Sequence, residues 1–102
     1  MDAFEALGAP PRRRILSELR RKPRSVNELV EALGAGQPAV SKHLKVLREA
    51  GFVACRGEGQ QRIYSLQPAP FRELEAWLAP YRRLWTHHLD ALERHLGRKE
   101  KP

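Results

Sequence analysis

Five side chains able to hydrogen-bond or carry charge, Gln37, Ser41, Lys42, His43 and Lys45, are grouped within nine positions of the segment Gln37–Gly51. Placed at 100° per residue, Val40, Leu44 and Leu47 fall on one side, with Ala39, Val46 and Ala50 widening the apolar sector. Ser41, Lys42, Lys45 and Glu49 fall opposite. A helix with this division can rest its apolar face on a fold and offer amide, hydroxyl and ammonium groups outward. Those are the groups that bond base edges and neutralise phosphates, and a major groove about 12 Å wide admits one such helix. His43 falls at the margin of the apolar sector, where a half-buried structural histidine and a phosphate or base contact are equally open readings. A second polar set, Arg56, Gln60, Gln61 and Arg62, surrounds a glycine-rich turn and could reach phosphates or a minor groove.

Other chemistry is thinner. His87, Asp90 and His95 could contribute to a metal site between two chains. His88 and His95, however, are seven residues apart on one helix, about 10.5 Å along the axis, and one ion cannot bridge them within a chain. A solvated helix face accounts for these histidines more simply. Cys55 is the one cysteine, beside Val53 in an alternating run, and reads as a small apolar filler; thiol reactivity would need a lowered pKa and access, and Arg56 is the one hint of that. No Ser-His-Asp order, phosphate-binding glycine loop or carboxylate pair stands out, so the expectation is a non-enzyme without cofactor, metal or identifiable small-molecule ligand.

The elements that must position the polar face can be read around it. Ser25-Val-Asn-Glu28 fits a capping box, Leu29, Val30 and Leu33 supply a buried face, and Gly34 ends the helix. Gly34-Ala35-Gly36 is a turn of the length that joins two helices in a helix-turn-helix, here over 25–50. Upstream, residues 2–7 suit a short helix with Phe4 and Leu7 on one face, stopped by Gly8 and Pro10. Pro11 opens a second helix with Ile15, Leu16 and Leu19 inward, Arg12, Arg13, Arg14, Arg20 and Arg21 outward, and Pro23 at its end. After Gly51 two β-prone runs, Phe52–Arg56 and Gln61–Leu66, flank the turn Gly57–Gln60, which predicts a hairpin over 52–66 in the position of a wing.

From Phe71 to Leu96 the pattern is helical. Leu74, Leu78, Tyr81, Trp85, Leu89, Leu92 and Leu96 form one row, and Trp77, Leu84 and Ala91 form a second about 100° away. Two rows holding both tryptophans suggest one packing on the domain and the other on a partner helix, so Trp77, Leu78, Tyr81, Leu84 and Trp85, with Phe4 and Leu7, are the expected dimer contacts. Pro80 should bend or split this helix. The expected fold is mostly α with a small β-hairpin: a single domain over 1–96 and a polar tail over 97–102.

Charge agrees with a nucleic-acid partner. The chain carries a formal +7 over 102 residues, and residues 10–66 hold twelve Lys and Arg against five acids. The excess therefore sits on the helix-turn-helix and wing, where it favours phosphates through counterion release. A lone cysteine, an acidic amphipathic N-terminus and no apolar run approaching 18 residues lead to the expectation of a cytoplasmic chain that neither spans a membrane nor is exported.

Taken in order, helix, helix, helix-turn-helix, wing and long terminal helix, residues 3–96 resemble the ArsR-type (ArsR/SmtB) winged-helix regulators. The likeness is carried by Arg12-Arg-Arg-Ile-Leu16, Gln37-Pro-Ala-Val-Ser-Lys-His-Leu44, Leu47-Arg-Glu-Ala-Gly-Phe-Val53 and Arg62-Ile-Tyr-Ser-Leu66. The resemblance implies a homodimer built from the first and last helices that binds an imperfect palindrome, usually as a repressor, with Gln37, Ser41, Lys42, His43 and Lys45 on the reading helix. Gly36 stands where the family commonly has a capping serine. The resemblance also implies where metals would bind. A Cys-Val-Cys site of the family aligns with Ser25-Val26-Asn27, which has no thiolate. A second, Asp-x-His followed by His-x-x-Glu or His-x-x-His, keeps His87-x-x-Asp90 but puts Leu74 and Ala76 at its first half. The expectation is a regulator without metal. A metal- or ligand-responsive sensor and a protein-interaction module on the same scaffold are the alternatives.

Overall fold

A computed structural model of the chain describes the backbone of residues 2–100 and the side chains of residues 2–96; the polar end expected over 97–102 lies outside the residues whose side chains are described. α1 (Ala3–Leu7) is capped by Asp2, whose carboxylate accepts the Glu5 N–H at 2.8 Å. Its buried residue is Ala6, while Phe4 is exposed and Leu7 half-buried. α2 (Pro10–Arg21) begins with two prolines in its first turn, where their missing N–H groups are not needed, and stops at an extended Lys22 before Pro23. Ile15, Leu16 and Leu19 form its inward stripe.

Arg24–Ser25 forms a two-residue strand, β1, that leads directly into α3 (Val26–Leu33). Ser25 does two jobs. It pairs with Ile63 across the sheet, and it closes the capping box: Glu28 N–H donates to Ser25 Oγ at 3.2 Å, and Ser25 N–H donates to the Glu28 carboxylate at 3.0 Å. Those bonds hold the Glu28 carboxyl below the usual carboxylate range, with help from Lys22 and Arg24. Gly34 ends α3 in the left-handed region at φ 66°, and its N–H returns to Val30 C=O at 2.9 Å. After Ala35 and Gly36, α4 (Gln37–Glu49) buries Val40, Leu44 and Leu47 and ends before Gly51, at φ 84°.

β2 (Val53–Glu58) and β3 (Gln61–Leu66) pair antiparallel, in the sheet order β1-β3-β2. The turn is tighter than the sequence reading has it. Gly57 and Glu58 are strand residues opposite Arg62 and Gln61, which leaves Gly59 and Gln60 as a two-residue loop with Gly59 at φ 63°. β1 is a strand that the hairpin pattern does not foresee.

The core joins α2, α3, α4 and the base of the wing through Ile15, Leu29, Leu44, Leu47 and Phe52, each with no exposed surface. Each such side chain contributes roughly 1.5–3 kcal/mol on burial. Phe52 also meets Phe71 edge to face, with ring centroids 5.1 Å apart. The chain divides into two compact units, Met1–Arg72 and Glu73–Pro102. α5 (Ala69–Glu100) runs without interruption through Pro80, which therefore does not split it. Pro80 and Ala76 are exposed, and Pro80 leaves the Ala76 carbonyl without its intrahelical N–H donor. Along α5, Leu74 and Leu78 are half-buried, while Trp77, Tyr81, Leu84, Trp85, Leu89, Leu92 and Leu96 are 46–65% exposed. Trp77 and Tyr81 lie one turn apart with rings 4.9 Å between centroids.

Candidate nucleic-acid interface

Gln37, Ser41 and Lys45 are spaced by four, so they lie along one line of α4, with Lys42 beside them; all four are exposed. Val40, Leu44 and Leu47, across the helix from Lys42 and Lys45, are buried. α4 is thus held by its apolar face and offers outward an amide, a hydroxyl and two ammonium groups. Gly36 caps it with no side-chain bond, and Pro38 in the first turn brings no N–H that needs one.

His43 is set apart from that row. It is half-buried, and its Nδ1 is enclosed without a hydrogen-bond partner among the described residues. Burial, then the charges of Arg12 and Lys42, push its pKa below the ordinary histidine value of 6.5. His43 is therefore neutral at pH 7, and the positive charge of this face comes from Lys42 and Lys45.

The arginine triplet expected to face outward is used differently. Arg12 is half-buried and donates through Nε to Ala6 C=O and through Nη2 to Glu5 C=O, the latter at 3.0 Å; Arg13 donates to Leu7 C=O. Arg14 Nη2 donates to Leu33 C=O at 3.2 Å, at the end of α3. These guanidinium groups satisfy the carbonyl ends of α1 and α3. Three cations in the first turns of a helix oppose its macrodipole, and that local conflict was the available signal that their partners lie elsewhere. Arg24 likewise ties β1 to α2 through a half-buried ion pair with Glu18 at 3.2 Å.

The wing divides its polar residues. Register pairs Arg56 with Ile63 and Gly57 with Arg62, so strand alternation sends Arg56 and Arg62 to opposite faces. Arg56 lies 3.7 Å from Glu58, both well exposed, a pairing of little energetic weight. Gln60, Gln61 and Arg62 instead share a cleft with Gln37 and with Ser25 and Asn27 of the α3 start. Asn27 has no place in the sequence reading except as an aligned metal position. Cys55, half-buried, lies opposite Tyr64, and burial followed by the Cys55 contact pushes the Tyr64 phenol up.

Among the described residues no three His, Cys, Asp or Glu side chains gather. His87 and Asp90 share a shallow groove of α5 with Arg82 and Arg83, whose guanidinium groups oppose a cation there. No described helix is long and apolar enough to cross a membrane.

Comparison with known proteins agrees with this geometry. Residues 9–54 match the model of the bacterial regulatory protein arsR family. The chain is 40% identical over 87 residues to the HTH-type transcriptional regulator Rv2034 of Mycobacterium tuberculosis, an alignment spanning 85% of this chain and 78% of that protein. It is 45% identical over 65 residues to the HTH-type transcriptional repressor SmtB of the same species, spanning 64% of this chain but 48% of SmtB, about half of its length. A crystal structure of an ArsR family transcriptional regulator matches with a TM-score of 0.72 and 34% identity over 82% of this chain and 87% of that one. A buried-backed polar helix, a wing and these similarities place the chain in the ArsR family of bacterial helix-turn-helix proteins, which are DNA-binding transcriptional regulators.

Proposed function

We propose that the chain is a transcriptional repressor that works as a homodimer on an inverted-repeat operator, with α4 in the major groove and the wing on adjacent backbone. The observation that carries the reading is the division of α4, whose buried Val40, Leu44 and Leu47 fix it while Gln37, Ser41, Lys42 and Lys45 stay exposed. Ser41 and Lys45 are suited to base edges, and Lys42 and Arg62 to phosphates. With Nδ1 enclosed, the nitrogen of His43 left to face DNA is Nε2, and it would act without charge. Repression as the sign of regulation is supported by the similarity to SmtB, a transcriptional repressor.

The dimer rests on α5. Leu74, Leu78, Tyr81 and Trp85 are spaced 4, 3, 4, and the spacing repeats through Leu89, Leu92 and Leu96. An eleven-residue repeat keeps an apolar seam on one side of a nearly straight helix, which suits close packing with a second α5. Seven large apolar residues, Trp77, Tyr81, Leu84, Trp85, Leu89, Leu92 and Leu96, are at least 46% exposed on the isolated chain, and aromatic residues of this kind dominate interface energetics. A two-fold pair would set its α4 helices about 34 Å apart, one turn of DNA, and so select an inverted repeat.

Sedimentation equilibrium at micromolar protein, run beside operator titration, tests this. Leu84→Glu with Trp85→Ala should give monomers that lose operator binding although no DNA-facing residue has changed. A monomeric wild type, or a monomeric variant that binds the full operator as tightly as wild type, removes the dimer.

A further inference from the structure

The cleft beneath the wing tip collects residues from three elements: Ser25 and Asn27 from the start of α3, Gln37 from α4, and Gln60, Gln61 and Arg62 from the wing. Open to solvent on one side, it has a volume of about 270 Å³. Pairing of Ser25 with Ile63 fixes the distance between the α3 start and the wing strand next to Arg62. Asn27, Gln37, Gln60 and Gln61 each carry a carboxamide with two N–H donors, and Arg62 adds a guanidinium. The nearby carboxylate, Glu28, is turned onto Ser25 N–H in the capping box, and Lys22 and Arg24 lie close enough to act on it. The lining is thus rich in neutral donors, with a single cation and no carboxylate of its own.

We propose that this cleft seats one phosphodiester of the DNA backbone, with Asn27 and Arg62 as its two arms, flanking the groove that α4 enters. The proposal rests on the DNA-binding reading above. A phosphodiester carries one negative charge and two unesterified oxygens, which matches one guanidinium among several amide donors. A free anion would gain little from one exposed arginine. A phosphate tethered to a duplex already held by α4 arrives at high effective concentration, and so the source is DNA rather than free phosphate.

Asn27→Asp is the decisive variant, because an acidic residue in the first turn of α3 favours the helix dipole and so leaves the fold intact. Its unfolding midpoint should equal or exceed that of wild type, while its DNA affinity falls about tenfold or more, by the same factor on operator and unrelated duplex. Arg62→Ala should reduce the slope of log affinity against log salt by about 0.9, the value for one phosphate. Asn27→Ala and Arg62→Ala should be non-additive, the double variant binding within about threefold of the weaker single one. A duplex with one methylphosphonate at the seated position should reproduce the loss and make wild type and Arg62→Ala equal. Full affinity in Asn27→Asp, or multiplicative losses in the Asn27→Ala/Arg62→Ala pair, overturns the shared cleft while leaving wild-type operator binding in place. Absence of salt-dependent binding by wild type removes the DNA-binding reading itself. Saturable binding of inorganic phosphate to the DNA-free protein, lost in Asn27→Asp, would assign the cleft to a free anion and overturn the choice of DNA.

Discussion

Replacing Gly36 by serine should stabilise the chain by about 1 kcal/mol, the sum of two effects that can be separated. Gly36 caps α4 in an extended conformation, φ −67° and ψ 153°, which any residue adopts. A Cβ there would meet only Pro38 Cδ, at an ordinary 3.7 Å. Because Pro38 has no N–H, the donor within reach of the introduced hydroxyl is Ala39 N–H, the position that Glu28 occupies relative to Ser25, where the bond is 3.2 Å. Serine over glycine at a cap contributes a few tenths of a kcal/mol. Removing glycine's freedom from the unfolded chain contributes about 0.4–1 kcal/mol more. In urea at fixed protein concentration the midpoint should rise with unchanged slope, and the melting temperature should rise by about 4–8 °C. Gly34→Ala is the control. Its Cβ meets nothing within 4 Å, but φ 66° is left-handed, so the loss, about 1–2 kcal/mol, is purely conformational. If Gly36→Ser is neutral or destabilising while Gly34→Ala is tolerated, the cap geometry at this turn is wrong.

His43 is held neutral in the folded chain, so the unfolded chain takes up its proton more readily; stability is full above pH 6.5 and falls as pH drops through the lowered folded-state value. His43→Gln should flatten that acid dependence below pH 6.5 in urea titrations, and an unchanged profile would show that His43 titrates alike in both states. Arg12→Lys keeps the charge but not the fork that reaches Ala6 and Glu5 carbonyls; amide exchange in α1 should quicken while that of α3 and α4 stays the same, and equal protection throughout would rule out the clasp. Zinc, cadmium and arsenite should leave the DNA affinity of freshly reduced protein unchanged. Weakening of about tenfold, lost in a His87→Ala/Asp90→Ala double variant, would establish a metal site between chains.

What could be read from the sequence was local. The capping box at Ser25 and Glu28, the left-handed Gly34 and the buried row Val40, Leu44 and Leu47 all follow from spacings of three or four residues, and each is present. β1 could not be read, since two residues set no period and Ser25 already had a role as a cap. Two glycines at 57 and 59 drew the expected turn out to Gly57–Gln60, and cross-strand register shortens it to Gly59 and Gln60. Arg12, Arg13 and Arg14 find carbonyls on other elements, and nothing local specifies those partners. The cleft holding Asn27 and Arg62 depends on β1 pairing with β3 across a separation of 38 positions between Ser25 and Ile63, and no linear motif carries that.

Titrating the purified protein against duplex from its own upstream region, and against a scrambled duplex of equal length and salt, bears most directly on DNA recognition by a dimer. The expected result is saturation at two chains per duplex, with the upstream sequence bound about a thousandfold or more tightly than the scrambled one. Equal affinity for both duplexes, or one chain per site at saturation, contradicts it.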